Sequence, residues 1–275
     1  ENANTPIEVL VKLAKLKGEE NMKVQCGVAR NANTPAPLME KLAGDEDDNV
    51  RSDIAGNQNT PVPVLEKLAE DEKDHIRCRV AENVNTPVSL LEKLSTDEWF
   101  VLASVAENKN TPIPLLEKLA EDENEDVRIA IGRNENAPAL LLEKLAEDKN
   151  EVVRENVAEN ANTPASALEK LAEDEDEYVR EQVALNKNTP VSVLKKLGQD
   201  DEESLVRKGV AANPNTPVDV LQQLAEDENS NVRYTVAMKG DAPLPLLKML
   251  VKDKDKMVKK RARKALLILE YQAAQ

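Results

Sequence analysis

The chain has 275 residues, a formal charge of -15, 40% apolar but only 2% aromatic residues, eight glycines and one histidine. Its acidity disfavours nucleic acid and anionic membranes as partners, and a single histidine leaves little for general acid–base work. Leu, Val, Ala, Glu and Lys dominate, which suits short packed helices rather than sheets.

The chain opens Glu1-Asn2-Ala3-Asn4-Thr5-Pro6, without a methionine, and Glu1-Asn2 matches the end of a preceding second helix. The array is therefore expected to be cut from a longer one at its N-terminus. Prolines 6, 35, 61, 87, 112, 138, 164, 190, 217 and 243 then mark ten copies of one unit at a period close to 26 residues, complete from Asn134 to Asn160 as N-x-N-[TA]-P-x-x-x-L-x-x-L-A-x-D-x-x-x-x-V-R-x-x-V-A-x-N. A fixed period of this length marks a solenoid, so the whole of 1–275 is expected to be one all-α domain of about ten two-helix repeats.

The first helix of each repeat is predicted to start at the marker proline, with the preceding Thr5, Thr34, Thr60, Thr86, Thr111, Thr163, Thr189 or Thr216 as N-cap. From the proline, apolar residues fall at offsets 1, 3, 4, 7 and 8, as in Val62, Val64, Leu65, Leu68 and Ala69, a broad stripe at helical period. The second helix is predicted to be capped by the recurring Asp45, Asp71, Asp97, Asp122, Asp148, Asp174, Asp200, Asp227 and Asp253, six of which have an acid three residues later, as in a capping box. Six residues after the Asp, or seven in one repeat, stands Arg51, Arg77, Arg128, Arg154, Arg180, Arg207 or Arg233, so Asp and Arg are expected to pair in a structural ladder along the stack. Asparagine pairs from Asn2/Asn4 to Asn213/Asn215 end each second helix, where tolerance of the left-handed region fits a C-cap and turn.

At these residues the chain resembles known families. The Asp and V-R spacing is similar to the second helix of HEAT repeats, and the N-x-N-T-P-x-x-x-L-x-x-L-A-x-D-x-x-x-x-V-R pattern resembles the leucine-rich repeat variant family more closely. That resemblance implies a right-handed α-solenoid of paired short helices, some of them 3₁₀, used for recognition rather than catalysis. Iron–sulfur clusters associated with the family need four grouped ligands, which Cys26 and Cys78 do not supply. No cofactor is expected.

Two repeats depart from the pattern. In the fourth, Asp97-Glu98-Trp99-Phe100-Val101-Leu102 is one residue short and replaces the ladder arginine, which should interrupt the ladder. In the ninth, the asparagines become Lys239 and Asp241, and Lys252 to Gln275 carries eight basic and three acidic residues, leaving -20 for residues 1–251. The segment 253–275 reads as a basic terminal capping helix with a polar outer side.

No P-loop, G-x-S-x-G or H-E-x-x-H motif occurs, so no catalytic residue, cofactor site or metal site is assigned. His75 and Cys78 share a helix face but make only two ligands, where zinc usually takes three or four. Cys26 and Cys78 sit at equivalent positions two repeats apart, about 20 Å by helix spacing, and are not expected to pair. With no signal peptide and no long apolar run, a monomer in a reducing compartment, the cytoplasm, is the expectation.

Comparison of the repeats with each other points to a surface. Counting back from the first Asn, positions 7, 6, 3 and 2 are nearly constant, whereas positions 8, 5, 4 and 1 vary and form one helical stripe. Trp99, Phe100, Tyr178 and Tyr234, four of the five aromatics, fall on or beside it. A protein or peptide is the expected partner, anchored by Trp99, Phe100, Tyr178, Leu205 and Tyr234, with Glu155, Glu159 and Glu181 favouring basic character in it. The alternative is nucleic acid held by the basic C-terminal segment.

Overall fold

A computed structural model describes residues 5–16, 21–240 and 242–273. The pair Asn2/Asn4 and Asp241 lie outside the described residues. The chain forms two compact units, Glu1–Ala137 and Pro138–Gln275. The first holds α1 (Ile7–Leu13), α2 (Met22–Ala29), α3 (Ala36–Leu42), α4 (Asp48–Gly56), α5 (Val62–Leu68), α6 (Asp74–Glu82), α7 (Val88–Leu94), α8 (Trp99–Glu107), α9 (Ile113–Leu119) and α10 (Glu125–Arg133). The second holds α11 (Ala139–Leu145), α12 (Glu151–Glu159), α13 (Ala165–Leu171), α14 (Glu177–Leu185), α15 (Val191–Asp200), α16 (Ser204–Ala212), α17 (Val218–Leu224), α18 (Ser230–Met238), α19 (Leu244–Leu250) and α20 (Lys256–Ala273). The fold is an all-α solenoid, and the short first helices of the repeats are α-helical, not 3₁₀. No helix among the described residues is long and apolar enough to cross a membrane.

Within each unit the second helix of a repeat packs on the second helix of its neighbour and on its own first helix, while first helices touch one another less. The constant positions supply the core: Val64, Leu65 and Leu68 of α5 and Val50, Ile54 and Ala55 of α4 are all buried. Each fully buried Val, Leu or Ile contributes about 1.5–3 kcal/mol, which is what short helices need in place of intrinsic stability. The apolar residue at offset 1 is an exception: Val62 is 39% exposed, as are its counterparts Val88, Ile113, Val191 and Val218 to a similar or greater degree. The apolar stripe is thus narrower than the periodicity predicts.

The polar signature residues act one step away from their predicted roles. The marker proline itself, not the threonine, stands at the N-cap, with an extended ψ of 146° at Pro61. The Thr60 hydroxyl instead donates backward to the Ile54 carbonyl at 2.6 Å, a second donor at the end of α4 beside the Asn57 amide, which reaches the same carbonyl at 3.1 Å. The recurring Asp is likewise not the cap. Asp45 accepts from the amide of Asp47 at 3.1 Å in a local turn, and Asp47 caps α4 by accepting from the Asn49 amide. The acid three residues after the Asp, such as Asp48, is the first helical residue, so no capping box forms.

These turns put two hydrogen-bond ladders at opposite ends of the second helices. At the N-terminal end, Arg51 donates through Nε and Nη2 to the Asp71 carboxylate of the next repeat at 2.7 and 3.1 Å, and through Nη1 to the Asp45 carbonyl of its own repeat at 2.9 Å. Arg77–Asp97, Arg154–Asp174, Arg207–Asp227 and Arg233–Asp253 repeat the fork. Gln25, in the arginine position of the first repeat, reaches Asp45 at 3.5 Å. Leu102 stands where a guanidinium would reach Asp122, whose carboxylate accepts from the Asn124 amide. Arg128 donates through Nη1 to the Asp122 and Glu123 carbonyls, and Asp148 accepts from the Asn150 amide and, through its carbonyl, from Arg154. One register is corrected: Arg180 pairs with Asp201, not Asp200, because α15 runs on to Asp200 and absorbs the extra residue of its repeat.

At the C-terminal end, Asn83 donates through Nδ2 to the Ala55 and Asn57 carbonyls of the preceding repeat at 2.7 and 2.9 Å and accepts from the Asn85 amide. Its backbone is extended, with φ of -69° and ψ of 126°, so the left-handed cap is not used. In the ninth repeat Lys239 replaces the asparagine, and its ammonium donates to the Asn213 carbonyl at 2.5 Å.

The ladder sets an acid limit on stability. Hydrogen bonds from Arg77 hold Asp97, and from Arg233 hold Asp253, below the usual aspartate range. A depressed folded pKa contributes stability that is complete above the unfolded value of about 3.9 and lost as pH falls through the folded value. The urea midpoint is therefore expected to hold down to about pH 4 and fall steeply below it. Arg77→Gln should make the fall shallower, and an unchanged slope would contradict the role given to this pair.

Candidate functional site

The second helices carry the variable positions, and the inter-repeat packing divides them. Position 4 of one repeat lies against positions 5 and 1 of the repeat before it: Arg30 Nε donates to Asp53 at 2.7 Å, and Gln182 Nε2 reaches Glu155 at 3.4 Å. A Cβ on Gly209 would come within 3.0 Å of the Ala184 Cβ and 3.6 Å of Leu185. Variation at position 4 is therefore coupled to a neighbouring helix, and the face open to a partner is carried mainly by positions 8, 5 and 1.

In the first unit Trp99 starts α8 at 45% exposure and meets the half-buried Phe100 edge-on, ring centroids 5.4 Å apart at 76°. In the second unit Tyr178 on α14 is 53% exposed, Glu159 on α12 is exposed, and Glu155, Glu181, Leu205 and Tyr234 are half-buried. Burial and the like charge of Glu155 raise the Glu181 pKa, against the opposing pull of Lys208.

Leu205 and Tyr234 come together. They line a groove of 610 Å³ between α16 and α18, with Lys208, Ala212, Met238 and Lys239. Tyr178 and the three glutamates are not among its lining residues. The groove has a local cause. Position 1 of α14 is Leu185, which packs against Gly209 of the closely approaching α16, whereas position 1 of α16 is Ala212 and leaves that space open beside Tyr234 and Met238. Met238 lines the site without having been singled out from the sequence, and Lys239 was marked there only as a departure from the asparagine pattern. Met238 occupies position 1, and Lys239 the place of the first asparagine.

Among the described residues no three His, Cys, Asp or Glu side chains are grouped to hold a metal ion. Both cysteines are free. Burial and a hydrogen bond to Asp53 push the Cys26 thiol up to about 11, and burial also raises Cys78, so neither is the thiolate that nucleophilic or metal chemistry needs at neutral pH.

The leucine-rich repeat variant family pattern matches residues 152–176 and 205–229, two units that run from one second helix into the next repeat. A solved leucine-rich repeat variant, described as having a novel repetitive structural motif, is 26% identical over 81% of this chain and 88% of its own, with a TM-score of 0.57. The chain is thus similar to leucine-rich repeat variants in the sequence of these two units and in its fold. A computationally designed armadillo repeat protein for modular peptide recognition is 17% identical over 95% of this chain and 98% of its own, at a TM-score of 0.21. Another designed armadillo repeat protein, solved with the peptide (KR)4, is 14% identical over the same shares at 0.25. No curated protein matches this chain.

Proposed function

We propose that this α-solenoid is a non-catalytic scaffold that binds a protein or peptide on its second-helix face, as a monomer in the cytoplasm. The observation that carries the reading is the groove between α16 and α18, where Leu205, Tyr234 and Met238 present apolar surface around a formed cavity. Helices on either side hold the groove by buried contacts, so binding spends little on ordering the receptor, and a partner side chain entering it gains buried area against an aromatic ring. Trp99 and Phe100 supply a second aromatic surface in the first unit. The unpaired cysteines support a reducing compartment.

Affinity capture from a source lysate tests the reading. Leu205→Ala/Tyr234→Ala should keep its circular dichroism and a cooperative unfolding transition yet lose partners that the unaltered protein retains. Equal capture by both would remove the groove from the function. The alternative has its own footing in Lys260, Arg263 and Lys264, exposed on α20. Captured material that resists the double substitution and is released by nuclease would favour nucleic acid.

A further inference from the structure

Resting on the reading of Trp99 and Phe100 as a protein-binding surface, we propose that Asp122, with Trp99 and Leu102 of α8, is a receptor for an arginine side chain of a partner protein. The ladder itself states what this carboxylate takes. Twenty residues before Asp71, Asp97 and Asp174 stands an arginine that forks the carboxylate through Nε and Nη2. Twenty residues before Asp122 stands Leu102, whose side chain has no donor. The aspartate keeps the geometry of the others: its Oδ1 accepts from the Asn124 amide at 2.9 Å, as Asp71 accepts from Lys73 at 3.0 Å and Asp174 from Asp176 at 3.0 Å. Asp122 is half-buried, and among the described residues no cation pairs with its carboxylate.

Trp99 stands beside this open place. The first residue of a second helix lies three before the ladder position, and Asp48, Asp74 and Glu151 there act electrostatically on Arg51, Arg77 and Arg154. In α8 that residue is Trp99, 45% exposed, so the missing arginine and an exposed indole coincide in one repeat. A guanidinium forked on Asp122 therefore lies next to an aromatic ring, which attracts a cation held against its face. The cations nearby leave the place open. Arg128 donates through Nη1 to the Asp122 and Glu123 carbonyls; Arg77 makes the same bond to the Asp71 carbonyl while Arg51 forks that aspartate, so the one does not replace the other. Lys118 on α9 holds the place of Lys93, which reaches back to Glu70 of the preceding repeat while Arg77 holds Asp97. Glu98, Glu123 and Glu125 are exposed and form no ion pair among the described residues, which tips the local balance towards binding a cation. Arginine rather than lysine follows from the fork, because a planar guanidinium makes two parallel bonds to a carboxylate. The half-buried Leu102 and Phe100 add apolar surface at the same end of α8, which residues flanking the arginine can cover and free arginine leaves open.

Trp99 is the only tryptophan of the chain, so tryptophan fluorescence reports this place alone. The probes are peptides Gly-Ser-Leu-X-Leu-Ser-Gly in which X is arginine, lysine or citrulline, its uncharged isostere, beside free arginine. The arginine peptide should bind about tenfold more tightly than the citrulline peptide at physiological salt, with the lysine peptide between them. Asp122→Asn keeps an oxygen for the Asn124 amide and should erase the preference. Leu102→Arg supplies the guanidinium from within the chain, so it should raise the urea midpoint and abolish binding of the arginine peptide. Equal binding of the arginine and citrulline peptides, or a preference that Asp122→Asn leaves unchanged, overturns the proposal. Free arginine binding as tightly as the arginine peptide overturns the partner segment as its source. No fluorescence response to any probe overturns the site, and if Leu205→Ala/Tyr234→Ala still loses captured partners, the groove reading stands without it.

Discussion

Arg154→Ala is expected to cost about 3–5 kcal/mol of unfolding free energy, because it breaks a largely buried ion pair from one side. The guanidinium donates to both oxygens of Asp174 at 2.6 and 2.9 Å and to the Asp148 carbonyl at 2.9 Å. The side chains of Arg154 and Asp174 are only 12% and 8% exposed. Its removal leaves the Asp174 carboxylate with the Asp176 amide alone, and leaves the Asp148 carbonyl without that donor. The contrast is Lys93–Glu70, at 2.6 Å but more than half exposed on both sides, where Lys93→Ala should cost at most about 1 kcal/mol. Arg154→Lys should fall between the two, since an ammonium keeps the charge but does not fork across carboxylate and carbonyl. Urea denaturation followed by circular dichroism measures all three. Equal losses for Arg154→Ala and Lys93→Ala would show the ladder to be solvated in effect.

Much of the fold was legible because a repeat states each rule ten times. The marker prolines located the first helices, and offsets 3, 4, 7 and 8 named the buried Val64, Leu65, Leu68 and Ala69. The failures share a cause. Thr60, Asp45 and Asn83 have side chains that bond equally well to several nearby backbone groups, and composition does not say which. The sequence placed Thr60 as a cap for the helix that follows, whereas its hydroxyl closes the helix that precedes. Asp201 displaced Asp200 because a one-residue insertion can be absorbed at the end of a helix as well as in the loop beyond it.

The candidate site divides in the same way. Leu205 and Tyr234 were visible as variable, apolar residues on one helical stripe. The groove between them was not, because it depends on what is missing: Ala212 fills less space than the leucine one repeat earlier, while Gly209 draws α16 towards α14. A stripe drawn on one helix also treats position 4 as open surface, and only the neighbouring helix reveals Asp53, Asn156 and Gly209 as buried. Repetition hides the ligand-facing residues for the reason that it exposes the core: what recurs is packing, and what differs is read one repeat at a time.

The same ladder logic makes Asn186→Ala the second large loss expected, about 3–5 kcal/mol from three broken hydrogen bonds at about 1–3 kcal/mol for each buried group left unsatisfied, discounted for relaxation. Asn186 Nδ2 donates to the Ala158 and Asn160 carbonyls at 2.7 and 3.0 Å, and its Oδ1 accepts from the Asn188 amide at 2.9 Å. The residue is only 6% exposed, so water does not replace these partners in the folded state. Two further substitutions separate the contributions. Asn186→Asp keeps the acceptor but loses both donors and turns a carboxylate towards two carbonyls, so it should be no milder than alanine at neutral pH and should recover as the carboxylate protonates. Asn186→Lys should be milder than alanine, because Lys239 already makes one of these bonds at the last ladder position, donating to the Asn213 carbonyl across the same spacing. Amide hydrogen exchange would locate the damage in α12 and α14, the helices whose ends the side chain joins, before the rest of the second unit. A uniform loss of protection across α11–α20, or a lysine variant no better than alanine, would show that the asparagine ladder does not act through these local bonds.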